Sequence, residues 1–245
     1  MLKSLFIIII FFLTACGGGG ANSSSDNSST SSKVYTIMPL GDSITYDDAN
    51  AYYDSNGNNL VPAGKRTAYR SFLAYDLDDA GIKYNFVGSR RAGYDIEPKF
   101  DPDNEGHPGW TSFDISKKVY HYLEMNPADI VLLHIGTNDR AGGRVDGTEK
   151  IINEIERYAK DHKKKIHIFV ALIINRWLFD KTIEKYNKNL EAMLKKRNDP
   201  NITIVDMRNM ISGGQHDYLE NTHPNKQGYK KIADKWFVEL TDYLN

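Results

Sequence analysis

Cysteine is nearly absent: Cys16 is the only one in the chain, so no disulfide framework staples the fold. Excess charge is absent too. Thirty-one Lys and Arg against 32 Asp and Glu leave a formal net charge of −1, which gives no basic surface for nucleic acid. The one basic run, KKK at 163–165, is shorter than an interaction tail and reads as a solvated helix end. Long hydrophobic runs are also lacking. The longest at the N-terminus covers residues 5–13, well short of the roughly 18 needed to span a bilayer. There is no internal repeat. What remains is 245 residues at 40% hydrophobic and 26% charged, enough for one sizeable core.

The N-terminus reads as a leader. Lys3, the apolar run and a small-residue site ending at Ala15 have the order of a secretory signal, expected over 1–15. The stretch LTAC at 13–16 resembles the box of bacterial lipoproteins, which are cut before the cysteine and lipidated on it. Cys16 is therefore the expected lipidation site. The chain is expected to be exported and anchored at the cell envelope, touching the membrane through the lipid only. Residues 16–33 continue as a Gly/Ser/Asn tract with nothing to bury, a flexible linker. Function is expected in one domain, 34–245.

Within that domain strand-like and helix-like runs alternate. Strands are expected at 34–40, 84–88, 129–135, 166–174 and 202–205, and helices at 67–80, 112–125, 149–160, 181–196 and 226–244. The runs DIVLLHI and IHIFVALII are apolar throughout, as in strands buried on both faces. The pattern implies βαβ units: an α/β, three-layer sandwich around a five-stranded parallel sheet in flavodoxin-like order. Ligands bind such sheets at the C-terminal strand ends, so the segments that follow the strands carry the chemistry.

Ser43 follows the first strand in a G-D-S turn, where Asp42 or Ser43 has a plain use as a helix cap. Gly109 lies in EGHPGW, at 105–110, and can offer a bare backbone N–H; the plain alternative is a Pro-Gly turn. Asn138, in G-T-N-D after the third long run, has a neutral amide donor suited to an oxyanion, or an Asx-turn role. His223, in LENTHPN, stands on a turn-rich loop with Glu220 three residues earlier and Asp217 beyond it. His121 and His162 fall in polar helical stretches and His167 in a strand, and His134 reads as a satisfied core histidine.

In this order, the blocks resemble those of the SGNH (GDSL-like) hydrolases, with Ser43, Gly109, Asn138 and His223 in the four named positions. Within them the chain is most similar to carbohydrate esterase family three, the acetylxylan esterases. MPLGDSIT at 38–45, Tyr69–Arg70, FVGS at 86–89, EGHPGW, IGTND at 135–139, HPN at 223–225 and Gly228–Tyr229 carry that likeness. The resemblance implies a serine esterase that deacetylates a polysaccharide, with Ser43 as nucleophile, His223 as base, and Ser43, Gly109 and Asn138 as the oxyanion hole. No metal or cofactor is required. The family's acid is an aspartate, and Glu220 occupies its slot; Asp217 is the reserve. The segments 46–65 and 90–104 are longer than the family pattern and leave strand ends, where they can wall the cleft. Trp110, Tyr46, Tyr52 and Tyr53 are candidates for stacking on sugar rings or for packing. Competing readings are another SGNH activity (lysophospholipase, thioesterase or peptidoglycan O-acetylesterase) and a non-catalytic, surface-anchored glycan-binding protein. The oligomeric state is not readable from the sequence.

Overall fold

The computed structural model describes residues 33–139, 142–211 and 214–244; the expected signal segment and Cys16 lie outside them. In chain order the elements are β1 (Tyr35–Gly41), α1 (Ser43–Tyr46), α2 (Arg70–Asp79), β2 (Tyr84–Phe86), β3 (Arg90–Arg91), β4 (Asp103–Gly106), α3 (Ser112–Ser116), α4 (Val119–Met125), β5 (Ile130–His134), α5 (Asp146–Asp161), β6 (His167–Leu172), α6 (Lys181–Arg197), β7 (Ile202–Asp206) and α7 (Lys226–Leu244).

The five strands expected from the sequence run parallel in the spatial order β2-β1-β5-β6-β7, the flavodoxin-like arrangement. β5 and β6 are buried at every position, which is why their sequences are continuously apolar rather than alternating. Two further strands extend the sheet to seven. β4 pairs in parallel with the last two residues of β1, and β3 pairs antiparallel with β4. β1 is thus flanked on one side by β2 along its first half and by β4 at its end. β4 reads Asp-Asn-Glu-Gly, with no apolar signal, so its strand character comes from partners and not from propensity.

Helices cover the sheet in two packed groups. α2 lies against α7, while α3 and α4 lie against α5. Tyr186 of α6 joins the second group through its hydroxyl, 2.7 Å from Thr148 Oγ1 of α5. α5 buries Ile151, Ile152, Ile155 and Tyr158, a stripe at helical spacing. α6 is capped by Asp180, whose carboxylate accepts from Thr182 N, and it carries Lys195, Lys196 and Arg197 in its last turn, where they complement the helix dipole. The single helix expected over 112–125 is two short ones. Thr111 and Asp114 form a capping box for α3, and the exposed pair Lys117 and Lys118 separates α3 from α4.

Candidate active site

The glycine that ends β1 is there for want of space. A Cβ on Gly41 would overlap the carbonyl oxygen of its sheet partner His134. That close approach lets the chain turn at once into α1. Asp42 caps this one-turn helix, its Oδ1 accepting from Ile44 N at 3.0 Å, and Ser43 becomes the first helical residue. Among the described residues no turn, loop or cap carbonyl accepts from Ser43 N–H.

Against Ser43 stands His223. Its Nε2 lies 2.8 Å from Ser43 Oγ, across 180 residues of sequence. Its Nδ1 is hydrogen-bonded to Glu220 Oε1, while Glu220 Oε2 accepts from Thr222 N at 3.0 Å. The loop is a tight return: Leu219 N donates to the His223 carbonyl at 2.9 Å, and Asn225 caps α7 by accepting from Gln227 N and Gly228 N. The extra methylene of Glu220 is accommodated inside this turn. Burial pushes its carboxyl up, but the hydrogen bonds from His223 and Thr222 outweigh that and hold it below the usual range. Asp217, the reserve acid, is fully buried elsewhere, on Lys231 Nζ at 2.7 Å and His216 Nδ1 at 2.9 Å.

The two other blocks meet at Trp110. Gly109 is exposed with φ +78°, a left-handed conformation with open space where a Cβ would be, so the backbone and not crowding favours glycine. Asn138 Nδ2 donates to the Trp110 carbonyl at 3.0 Å, which fixes the amide and leaves its second hydrogen available. Asp139 binds the same segment, accepting from Ser112 N at 2.8 Å. Ser43, His223 and Glu220 are therefore in hydrogen-bond contact, and Gly109 and Asn138 are tied to each other through one residue.

The sequence profile of the GDSL-like lipase/acylhydrolase family matches residues 40–231. The chain belongs to this family. Among solved structures, this GDSL-like protein is similar to a family 3 carbohydrate esterase from Clostridium thermocellum, with 26% identity, TM-score 0.70, and 86% of this chain covering 99% of that one. It also shares its fold with a carbohydrate esterase family 3 protein from Talaromyces cellulolyticus, at 24% identity and TM-score 0.69, with coverages of 86% and 98%. A multidomain esterase of Ruminococcus flavefaciens is 27% identical over 235 residues, or 85% of this chain; the match spans 28% of that longer protein.

Several features of this GDSL-like site were not legible in the sequence. Arg70, fully buried, donates to the carbonyls of Thr45, Tyr46, Arg66, Ala92 and Pro102. One guanidinium thus clasps α1 to Arg66, just past the first long segment, and to the second long segment. Asp47, at φ 75°, completes the clasp by accepting from Thr67 N and Ala68 N. Of the aromatic candidates, Tyr46 is buried under Arg90 and Arg66, and Trp110 stacks on His107. Tyr52 holds Asp47, and Tyr53 is exposed.

Two buried groups beside the site are strained electrostatically. Burial pushes the Asp42 carboxyl up to about 6, against the pull of Ile44 N–H, His223 and the Thr137 hydroxyl. His134 is a core residue but not a satisfied one. Neither ring nitrogen is hydrogen-bonded, and burial pushes the imidazole down to about 4. Among the described residues no group of three or more His, Cys, Asp or Glu is placed to hold a metal.

Proposed function

We propose that this protein is a serine esterase that removes O-acetyl groups from a polysaccharide of the acetylxylan type. The observation that carries the reading is His223 held between Glu220 and Ser43. A serine hydroxyl is a weak nucleophile until a base within about 3.2 Å can take its proton, and the base needs its other nitrogen protonated and oriented. Glu220 supplies that orientation. Ser43 Oγ attacks the ester carbonyl carbon as its proton passes to His223 Nε2. The oxyanion is met by the N–H groups of Ser43 and Gly109 and the free amide hydrogen of Asn138; each such donor is worth roughly 10²–10³ in rate. Collapse expels the sugar oxygen, which takes the proton from His223. Water, deprotonated by His223, then attacks the acetyl-Ser43 ester; Ser43 Oγ leaves, taking that proton back from His223, and acetate is released.

The likeness to family 3 carbohydrate esterases supports a carbohydrate ester, and α1 places Ser43 just past the C-terminal end of β1, where α/β sheets bind ligands. Acetate release is measured from acetylated xylan and other acetylated glycans, with p-nitrophenyl esters of increasing chain length in parallel. Acetate is expected from the polymer, with loss of activity in Ser43→Ala. A preference for long acyl chains overturns the acetyl assignment, and full activity of Ser43→Ala overturns the mechanism. Export and lipid anchoring through Cys16 belong to the same reading, since they place the enzyme where polymeric substrates are met. A Cys16→Ser protein that still partitions with membranes refutes the anchor.

A further inference from the structure

We infer that Glu105 and His107 form a buried positioning pair that sets the oxyanion donors Gly109 and Asn138, an inference that rests on the esterase reading above. The two residues are spaced by the strand period, so both side chains leave the same side of the chain at the end of β4. Glu105 is fully buried. Its Oε2 accepts from Ser89 N at 2.7 Å; its Oε1 lies 2.7 Å from Ser89 Oγ and 2.6 Å from His107 Nε2. A buried carboxylate is tolerated only when its oxygens are met in this way, so the geometry of all three residues is closely determined.

From there the constraint passes along the chain to the site. The His107 ring stacks on Trp110, with centroids 4.2 Å apart and planes 22° from parallel, and on Tyr122 at 5.1 Å and 11°. Its backbone N–H donates to the Gly41 carbonyl at 2.8 Å, and its own carbonyl accepts from Trp110 N at 3.1 Å. These bonds close the turn 107–110 over Gly109. The Trp110 carbonyl is what Asn138 Nδ2 holds. The imidazole is thus one residue removed from each donor while hydrogen-bonded to neither Ser43 nor His223. Oxyanion donors act only when aimed at the place where charge develops, so a turn free to rock costs turnover without altering ground-state binding.

A purely structural role for the pair predicts lost stability and nothing more, and a double-mutant cycle separates the two. His107→Gln keeps an N–H for Glu105 and removes the stack. Glu105→Gln with His107→Phe removes the buried charge and keeps a ring, and the melting transition of each variant is recorded alongside its kinetics. With p-nitrophenyl acetate each is expected to lower kcat roughly 10- to 100-fold, with KM within about threefold. In an Asn138→Ala background, the same changes are expected to cost several-fold less than in the wild type, because one of the two donors they aim is already gone. Equal losses in both backgrounds overturn the proposal, as does an unchanged kcat with a lowered Tm. Full activity of Ser43→Ala would instead remove the esterase reading underneath it, a different result from either.

Discussion

Glu220→Gln separates two tasks that one carboxylate performs at once. Its two oxygens serve two donors, Thr222 N at 3.0 Å and the Nδ1–H of His223. Glutamine brings one acceptor and one NH₂ group to the same two donors. If its oxygen stays on Nδ1–H, the NH₂ faces the Thr222 N–H, and a partly buried donor goes unpaired at about 1–3 kcal/mol. If its oxygen turns to Thr222, the NH₂ donates to Nδ1 and the ring proton moves to Nε2, where it blocks the base. The second arrangement is therefore favoured by about 1–3 kcal/mol, which leaves on the order of one molecule in 5 to one in 150 competent. Those that remain meet the developing imidazolium with a neutral acceptor in place of a charged one, at about 1–2 kcal/mol. The sum, roughly 2–5 kcal/mol, is a loss in kcat on the order of 30- to 4,000-fold. KM should stay within about threefold, because Glu220 acts through His223. The assay is steady-state hydrolysis of p-nitrophenyl acetate by variants with a normal melting transition. Asp217→Asn is the control: it breaks bonds to Lys231 and His216, so it lowers Tm and spares kcat. A Glu220→Gln enzyme within about threefold of wild-type kcat, or a folded Asp217→Asn enzyme that loses 10²-fold or more, refutes the reasoning.

Two buried groups predict opposite dependences of stability on pH. A carboxyl held up in the folded chain stabilises the fold while protonated, so the contribution of Asp42 is full below about 3.8 and lost as pH rises through about 6. Asp42→Asn keeps the acceptor for Ile44 N and removes the charge; it should raise stability by up to about 3 kcal/mol at pH 7.5, with the gain fading toward pH 4. For His134 the sign reverses: an imidazole held down stabilises the fold while neutral, a contribution full above about 6.5 and lost as pH falls toward 4. His134→Leu replaces two unpaired nitrogens with apolar volume, so its Tm should exceed wild type, and by more at pH 5 than at pH 7. Melting curves across that range check both, and a gain in either variant that moves the other way with pH contradicts the burial argument.

Those elements whose cause is local were legible in the sequence. Buried strands announce themselves by apolar runs, and Ser43, Asn138 and His223 follow strand ends where α/β sheets place ligands. Glu220, three residues before His223, reaches His223 Nδ1 within the same loop. Illegible were the residues whose roles are set by distant partners. β4 is polar and pairs because Gly41 and Leu40 lie beside it. Arg70 looks like any helical arginine until five carbonyls from three segments converge on it. His134 carries no mark that its nitrogens would be left unpaired. The alternation of Glu105 and His107 was the one readable signal of the pair behind the oxyanion turn, and it is visible only once that stretch is known to be extended.

The split flank of β1 has a practical reach beyond this protein. Because β2 fixes Tyr35 to Ile37 and β4 fixes Leu40 and Gly41, the register of the serine-bearing strand is clamped on both halves. The excursion between those clamps, residues 87–102, leaves and rejoins the sheet at two anchored points. Within it Ser89 holds Glu105 and the Ala92 and Pro102 carbonyls hold Arg70, so only the outer stretch, residues 94–99, is decoupled from the placement of Ser43. For an engineer it is a cassette: loops grafted there can reshape what approaches the serine while the strand that delivers it stays in register.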